Sequence, residues 1–318
     1  MNQTPPPVVL RATDLVKRYG DILAVDRLSL EVHRGEILGF LGPNGAGKTT
    51  TLKMLCGLLR PEAGRIEING ATMRPGRRKG RASIGVSPQG IAIWEMLTPI
   101  EQLAFTGQMY GLPAAAARRK AGELLAAFGL EEKRRRLAKT LSGGMQRRLN
   151  IALALVHDPE IVFLDEPQAG LDPQSRVMVR DYIRHLAGRA TVVVTTHDMN
   201  EAEKLSDRVC IIDHGRVLAL DSVAGIKDQL GEGDLFEIEV GDELQAALGP
   251  LVERLTRERR YVTTQGALLR FTSEDGGEVL SEVFQTAKRL GLRIERLGMR
   301  KKTLEDVFIR LTGRGLRE

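Results

Sequence analysis

The chain has 318 residues, of which 42% are apolar, 28% charged and only 4% aromatic. This excludes collagen-like, low-complexity and disordered classes, leaves room for two compact domains, and requires a core built from Leu, Val, Ile and Ala. The net charge is +6, and residues 226–318 hold 16 basic against 17 acidic side chains, so the basic excess lies in the first 225 residues and is too small to argue for a nucleic-acid partner.

The segment Met1 to Leu10 carries three prolines and lacks the basic-then-apolar order of a secretory signal. No later stretch approaches the run of about 18 apolar residues that spans a bilayer, so any membrane role requires a separate chain to supply the pore. Cys56 and Cys210 each sit in an apolar run and read as buried thiols, which fits a reducing cytoplasm.

Residues 8–41 read as short strands. Leu28, Leu30 and Val32 alternate with Ser29 and Glu31, the period-two pattern of a half-buried strand. Glu36 to Leu41 is a more continuous apolar run, as in a strand buried on both faces. Next comes Gly42-Pro43-Asn44-Gly45-Ala46-Gly47-Lys48-Thr49, followed by Thr50 and a helix with Leu52, Leu55, Cys56 and Leu59 on one face. The glycines let backbone N–H groups turn in around phosphate oxygens, and the helix N-terminus favours the same anion. Lys48 can reach the β- and γ-phosphates, and the Thr49 hydroxyl can ligate Mg²⁺. By itself this motif says only that a nucleoside triphosphate is bound.

The basic run Arg74 to Arg81 reads as a solvated loop, as does Lys133 to Arg136. Residues 91–157 look mostly helical, with an Ala-rich centre at Ala114 to Ala117. Within them, Leu141-Ser142-Gly143-Gly144-Met145 places an apt N-cap before a helix whose Leu149, Ala152, Leu153 and Val156 share a face. Two glycines in a first turn weaken a helix, and they make sense if a ligand must approach the backbone closely. Ile161 to Leu164 is an apolar strand ending in Asp165 and Glu166. Asp165 can hold the Mg²⁺ shell, and Glu166 can polarise an attacking water. A helix capped by Asp172 and Pro173 leads to a second buried strand at Thr191 to Val194, so the order implies a parallel sheet flanked by helices.

The composition shifts near Gly225 to Gly233. Phe236, Ile238 and Val240 then alternate with acids, a helical segment and two short strands follow, and a helix at 276–290 precedes the alternation of Leu292 and Ile294. This βαββαβ order is that of a small ferredoxin-like domain. The chain closes on Thr303-Leu304-Glu305-Asp306, a capping-box pattern, with Leu304, Val307, Phe308 and Leu311 as one apolar stripe.

Taken in order across residues 8–225, these segments resemble the ABC ATPases. The resemblance implies an α/β fold: a P-loop NTPase of the ABC type at 1–225, with a mixed-sheet core and a helical subdomain at about 91–157, and a small α+β accessory domain at 226–318. It implies that Tyr19 stacks on adenine. Gln89, in Ser87-Pro88-Gln89, would touch Mg²⁺ and water and sense the transporter. Ser142, Gly143 and Gly144 would close over the γ-phosphate held by another subunit. Ala169 to Asp172 would cross the dimer, and His197, in Thr195-Thr196-His197-Asp198, would contact the γ-phosphate. Two positions depart from the pattern: Met145 stands where Gln is common, and Gln168 where Ser or Thr is usual.

Lys48 to Ser142 spans 94 residues, too short for the long coiled-coil insertion of the DNA-repair relatives, and there is one phosphate loop. The tail from Thr303 to Phe308 is similar to that of ATPases paired with ABC-2-type permeases, the daunorubicin-resistance type included. The resemblance therefore implies ATP and Mg²⁺, a second copy of the chain, a separate permease, no nucleic acid, and a peripheral place on the cytoplasmic side of the membrane. A soluble ABC-type regulator without a permease is the alternative. Cargo contacts would lie in the other chain.

Overall fold

The computed structural model describes residues 6–73, 83–240, 261–266, 268–274, 276–290 and 293–313, with the isolated positions 249, 252, 253 and 255. The basic run at 74–81 lies outside them, as do most of the helical segment expected after residue 240 and Leu292. The chain divides into two compact units, Met1–Ser222 and Val223–Leu316.

In the first unit, β1 (Val8–Tyr19) and β2 (Ile22–His33) form an antiparallel hairpin. They are not short, as the pattern at 8–41 predicts, but 12 residues each. Register shifts interrupt the pairing, and Asp14 and Arg27 take positive φ of 50° and 47°. These irregularities break a long strand into short alternating stretches of sequence. With β4 (Ala63–Ile68) and β5 (Ala71–Thr72) the hairpin makes a four-stranded sheet of order β2-β1-β4-β5.

The second sheet has six strands in the order β10-β9-β3-β8-β7-β6. These are β3 (Ile37–Leu41), β6 (Ile84–Ser87), β7 (Ile161–Asp165), β8 (Thr191–Thr196), β9 (Arg208–Asp213) and β10 (Arg216–Ser222). All pairs are parallel except β9 with β10. Side chains alternate between two cores. Ile37, Val162, Leu164, Val192 and Val194 join one with the helices α2 (Pro99–Met109), α3 (Ala114–Ala127), α4 (Gly143–Leu155) and α5 (Pro173–Leu186). Leu38, Phe40, Ile161, Phe163 and Val193 join the other with the hairpin sheet and α1 (Lys48–Leu55). Burial on both faces is why these strands read as unbroken apolar runs. A short helix α6 (Met199–Leu205) follows β8. Both cysteines are buried, and burial pushes the Cys210 thiol up to about 12.

In the second unit, α7 (Val223–Asp228) precedes an antiparallel sheet of β11 (Asp234–Val240), β12 (Val262–Gln265), β13 (Leu268–Ser273) and β14 (Ile294–Arg300), ordered β12-β13-β11-β14. Phe236, Ile238, Leu269 and Phe271 bury one face against Val279, Val283 and Ala287 of the helix Gly276–Leu290. The helix Leu304–Thr312 opens with a capping box in which Thr303 and Asp306 bond reciprocally. Leu304, Val307 and Phe308 are buried, whereas Leu311, expected in the same stripe, is exposed two residues before the Gly313 cap.

Candidate nucleotide site

Parallel strands end on one edge of a sheet, and the residues after them meet there. Strand β3 leads into the loop 42–47, β6 into Pro88 and Gln89, β7 into Glu166, and β8 into His197. The strand order sets these four loops side by side, although they are up to 155 residues apart in sequence.

The first loop wraps tightly. Gly47 has φ 100°, and a Cβ there would lie 2.4 Å from the Ala24 carbonyl oxygen; at Gly42 a Cβ would lie 2.2 Å from that of Ile212. No other residue fits either place. The loop feeds α1, whose N-cap Gly47 offers no side-chain cap to the first-turn N–H groups of Lys48, Thr49 and Thr50. The ammonium of Lys48 is buried and donates to the carbonyls of Gly42 and Pro43 at 2.8 and 2.9 Å. Burial lowers the Lys48 pKa, and the charges of Glu166 and Asp165 oppose that shift.

The acidic pair lies opposite. Asp165 is 2% exposed and accepts from the hydroxyls of Thr49 at 3.1 Å and Thr195 at 2.5 Å. The same Thr195 hydroxyl accepts from the Glu166 N–H at 2.9 Å, and the Thr195 carbonyl accepts from it at 3.2 Å. Glu166 has φ 47°, a left-handed conformation that costs a side-chain-bearing residue about 1–3 kcal/mol and persists only when its surroundings impose it. His197 Nδ1 lies 3.1 Å from Glu166 Oε1. An ionised carboxylate only accepts, so Nδ1 carries the hydrogen of this bond.

A family model described as ABC transporter matches residues 25–169. The daunorubicin resistance ATP-binding protein DrrA3 of Streptomyces coeruleorubidus is 41% identical over 298 residues, covering 93% of this chain and 93% of its own length. The chain belongs to the ABC transporter ATP-binding proteins. The Nod factor export ATP-binding protein I of Ralstonia nicotianae is 39% identical over 98% of this chain and 95% of its own. Among solved structures, an ATP-binding subunit of an ABC transporter matches with TM-score 0.65 and 31% identity over 70% of this chain and 93% of that one. A dimeric ATP-binding cassette in a post-hydrolysis state, bound to ADP and Pi, matches with TM-score 0.62 and 26% identity over 67% and 98%. This ABC protein is thus an ATP hydrolase that uses ATP with Mg²⁺.

The segment that resembles the ABC signature opens α4. Ser142 caps α4 by accepting from the Met145 N–H at 3.3 Å. A Cβ on Gly143 would meet nothing, and one on Gly144 would make only ordinary contact, 3.5 Å from Leu171. Nothing among the described residues demands glycine there, unlike at Gly42 and Gly47. The departure at Met145 packs against the core, and that at Gln168 leaves a buried amide nitrogen unpaired. Tyr19 is half exposed, with the Lys17 ammonium 5.5 Å from its ring centroid, and is not drawn into the acidic cluster. Asp172 caps α5 by accepting from the Ser175 N–H, and hydrogen bonding to the Ser175 side chain, then to that N–H, holds its carboxyl below the usual range.

Two residues of this ABC site carry no motif signal. Thr195 links the Asp165 carboxylate to the backbone N–H of Glu166 through its hydroxyl, and only its place at the end of a buried strand pointed to it. Arg147 is buried and reaches the backbone at Gln89 and Glu166. No spacing in the sequence of α4 singles it out.

Proposed function

We propose that the chain energises export through a separate permease, with ATP held between two copies arranged head to tail. The observation that carries the reading is the contrast between two sets of glycines. Those at 42 and 47 are required by the chain's own backbone, whereas Gly143 and Gly144 are open on their outer side. Open first-turn glycines suit the approach of a phosphate from another subunit. A two-fold pair satisfies both sites at once.

In this reading Gly42 to Thr50 cradle the phosphates, with Lys48 on the β- and γ-oxygens, and Tyr19 takes the adenine. Thr49, Asp165 and Gln89 offer the sparse oxygen set with which Mg²⁺ is shared between protein and phosphate. The hydrogen bond from Thr49 to Asp165 supports this reading. Glu166 accepts the proton of the attacking water, held in place by Thr195 and His197. The second copy's signature, Ser142 with Gly143 and Gly144, donates to the γ-phosphate from the far side.

Export is inferred from the names of the relatives, which act in drug resistance and Nod factor export. No helix among the described residues is long and apolar enough to cross a membrane. The permease would dock beside Gln89, on a groove of about 340 Å³ lined by Leu58, Val86, Pro88, Trp94, Tyr110 and Leu153. Exposed Ile91, Met96, Phe105 and Met109 lie on the same loop and helix. The chain would then sit on the cytoplasmic face of the membrane.

Mixing two inactive variants tests the arrangement. Lys48→Ala damages the phosphate loop and Ser142→Arg the signature, so each alone has no complete composite site. A mixed pair has one intact site, and part of the wild-type ATPase rate should return on mixing. No recovery from well-folded variants that exchange subunits, or full activity of strictly monomeric Ser142→Arg protein, would refute the shared site. Purification from membranes with an apolar partner chain would separate the transporter from a permease-free regulator.

A further inference from the structure

We infer that Arg147 is a positioning residue that ties the Gln89 loop to the backbone of Glu166, so that both follow α4. Its guanidinium forks between two loops. One nitrogen, Nη1, donates to the carbonyls of Pro88 at 3.1 Å and Gln89 at 2.5 Å; the other, Nη2, donates to the carbonyl of Glu166 at 3.2 Å. The residue is 5% exposed and its acceptors are neutral carbonyls; among the described residues its charge finds no carboxylate in direct contact. A buried guanidinium in such a place is costly to the fold, and burial lowers its pKa while the charges of Asp165 and Glu166 oppose that shift. A side chain that only filled space there would be apolar.

Two further features point the same way. One turn along α4, Asn150 donates to Ser87 Oγ at 3.0 Å and to the Pro88 carbonyl at 3.3 Å, and accepts from the Ala92 N–H at 3.1 Å. The helix thus grips the Gln89 loop on both flanks of Gln89. On the other side, the carbonyl held by Arg147 belongs to the residue whose left-handed φ is imposed from outside. Thr195 holds the N–H of that peptide plane's neighbour, and Arg147 holds the carbonyl, so the carboxylate is aimed from both ends of its residue. Ser142 and Arg147 stand five residues apart on one helix. A displacement of α4 as its N-terminus meets a nucleotide on the other copy would be passed to Gln89 and Glu166 of its own copy. Arg147 touches neither nucleotide nor water; it acts through the residues that do. The inference rests on the proposed roles of Glu166 and Gln89.

The test compares Arg147→Met, Arg147→Lys and Glu166→Gln in the full-length protein. Binding of a fluorescent ATP analogue, kcat and KM are measured on material whose melting curve shows it folded at the assay temperature. Loss of aim at the base should lower kcat at least ~10-fold with nucleotide affinity little changed. Lysine should fail to restore it, because a single ammonium cannot span both loops. Recovery of wild-type kcat by Arg147→Lys would overturn the forked link in favour of charge alone. Wild-type kcat in Arg147→Met, with Glu166→Gln inactive, would overturn the inference and leave the site reading intact. Normal turnover by Glu166→Gln would instead overturn the assignment of Glu166, and this inference with it. Should both arginine variants misfold, hydrogen exchange on the wild-type chain decides. On adding Mg²⁺ and ATP, residues 87–92 and 166–169 should change protection together, and a response of one segment without the other would refute the link.

Discussion

At Glu166 the backbone and the side chain are constrained separately. Thr195 and Arg147 fix the peptide groups on its two sides, and His197 holds the carboxylate. Glu166→Gln keeps the shape and most of these contacts but cannot take a proton. It should bind ATP normally, accumulate as a closed ATP-bound pair on gel filtration, and lose about 10²–10⁴-fold in turnover. Turnover near the wild-type rate would remove Glu166 from the mechanism. Thr195→Val is subtler. It keeps a β-branched residue in β8 but removes the hydroxyl that donates to Asp165 and accepts from the Glu166 N–H. Steady-state assays should show a fall in kcat of about tenfold, with a raised Mg²⁺ requirement because Asp165 loses one of its anchors. At this scale the motif residues were legible because a phosphate loop and a strand-terminal carboxylate pair have few other uses. Thr195 and Arg147 were not, since their function lies in bonds to backbone groups of distant loops, which leave no spacing in the sequence.

Among the elements, the fully buried strands were the easiest to read. Strands β3, β7 and β8 are apolar on both faces, and their unbroken Ile, Val, Leu and Phe runs announce it. Strands β4, β5 and β6 went unread. Ala63 to Arg65 are exposed, β5 is two residues long, and β6 is four residues interrupted by Gly85, whose missing Cβ makes room for the Ala154 carbonyl. The caps at Ser142, Asp172 and Thr303 were legible, because an oxygen three residues before a backbone N–H is a local requirement, whereas those at Thr98 and Asp198 went unread. The last helix illustrates what a cap can add. Burial alone would raise the Asp306 carboxyl, but hydrogen bonds from Arg300 at 2.7 Å and from Thr303 overcome it and hold the group below its usual value near 3.8. A depressed carboxylate stabilises the fold above its unfolded pKa, and the benefit is lost as the pH falls through the folded one. Asp306→Ala should therefore destabilise the second unit by about 2–3 kcal/mol near neutrality. The gap between mutant and wild-type melting curves should narrow as the pH is taken below 3.8. A gap independent of pH would show that the carboxylate is not the stabilising group.

For the whole molecule, the nucleotide motifs all lie before residue 198, while the second unit has its own sheet and its own buried core. We propose that 1–225 is the catalytic unit and 226–318 an accessory domain. A chain truncated after residue 225 should bind ATP with wild-type affinity by fluorescence titration, and any loss should fall on pairing or permease coupling. A folded truncation without ATP binding would refute the boundary. The two-part organisation was visible in the shift of composition near Gly225. The strand arrangement of the second unit was visible only as an order of elements, since pairing between β11 and β14 joins segments some sixty residues apart.

Trp94 is the chain's single tryptophan, and it is 46% exposed on the rim of the groove beside Gln89, edge-on to Phe105. Indole emission is therefore a local signal, free of contributions from either core or from the second unit. Emission shifts to the blue when the ring leaves water, so a partner seated on the groove would announce itself in the spectrum of the unlabelled protein. Titrating cytoplasmic segments of a candidate permease against the native chain would then rank them by affinity, with Trp94→Phe as the optically silent control.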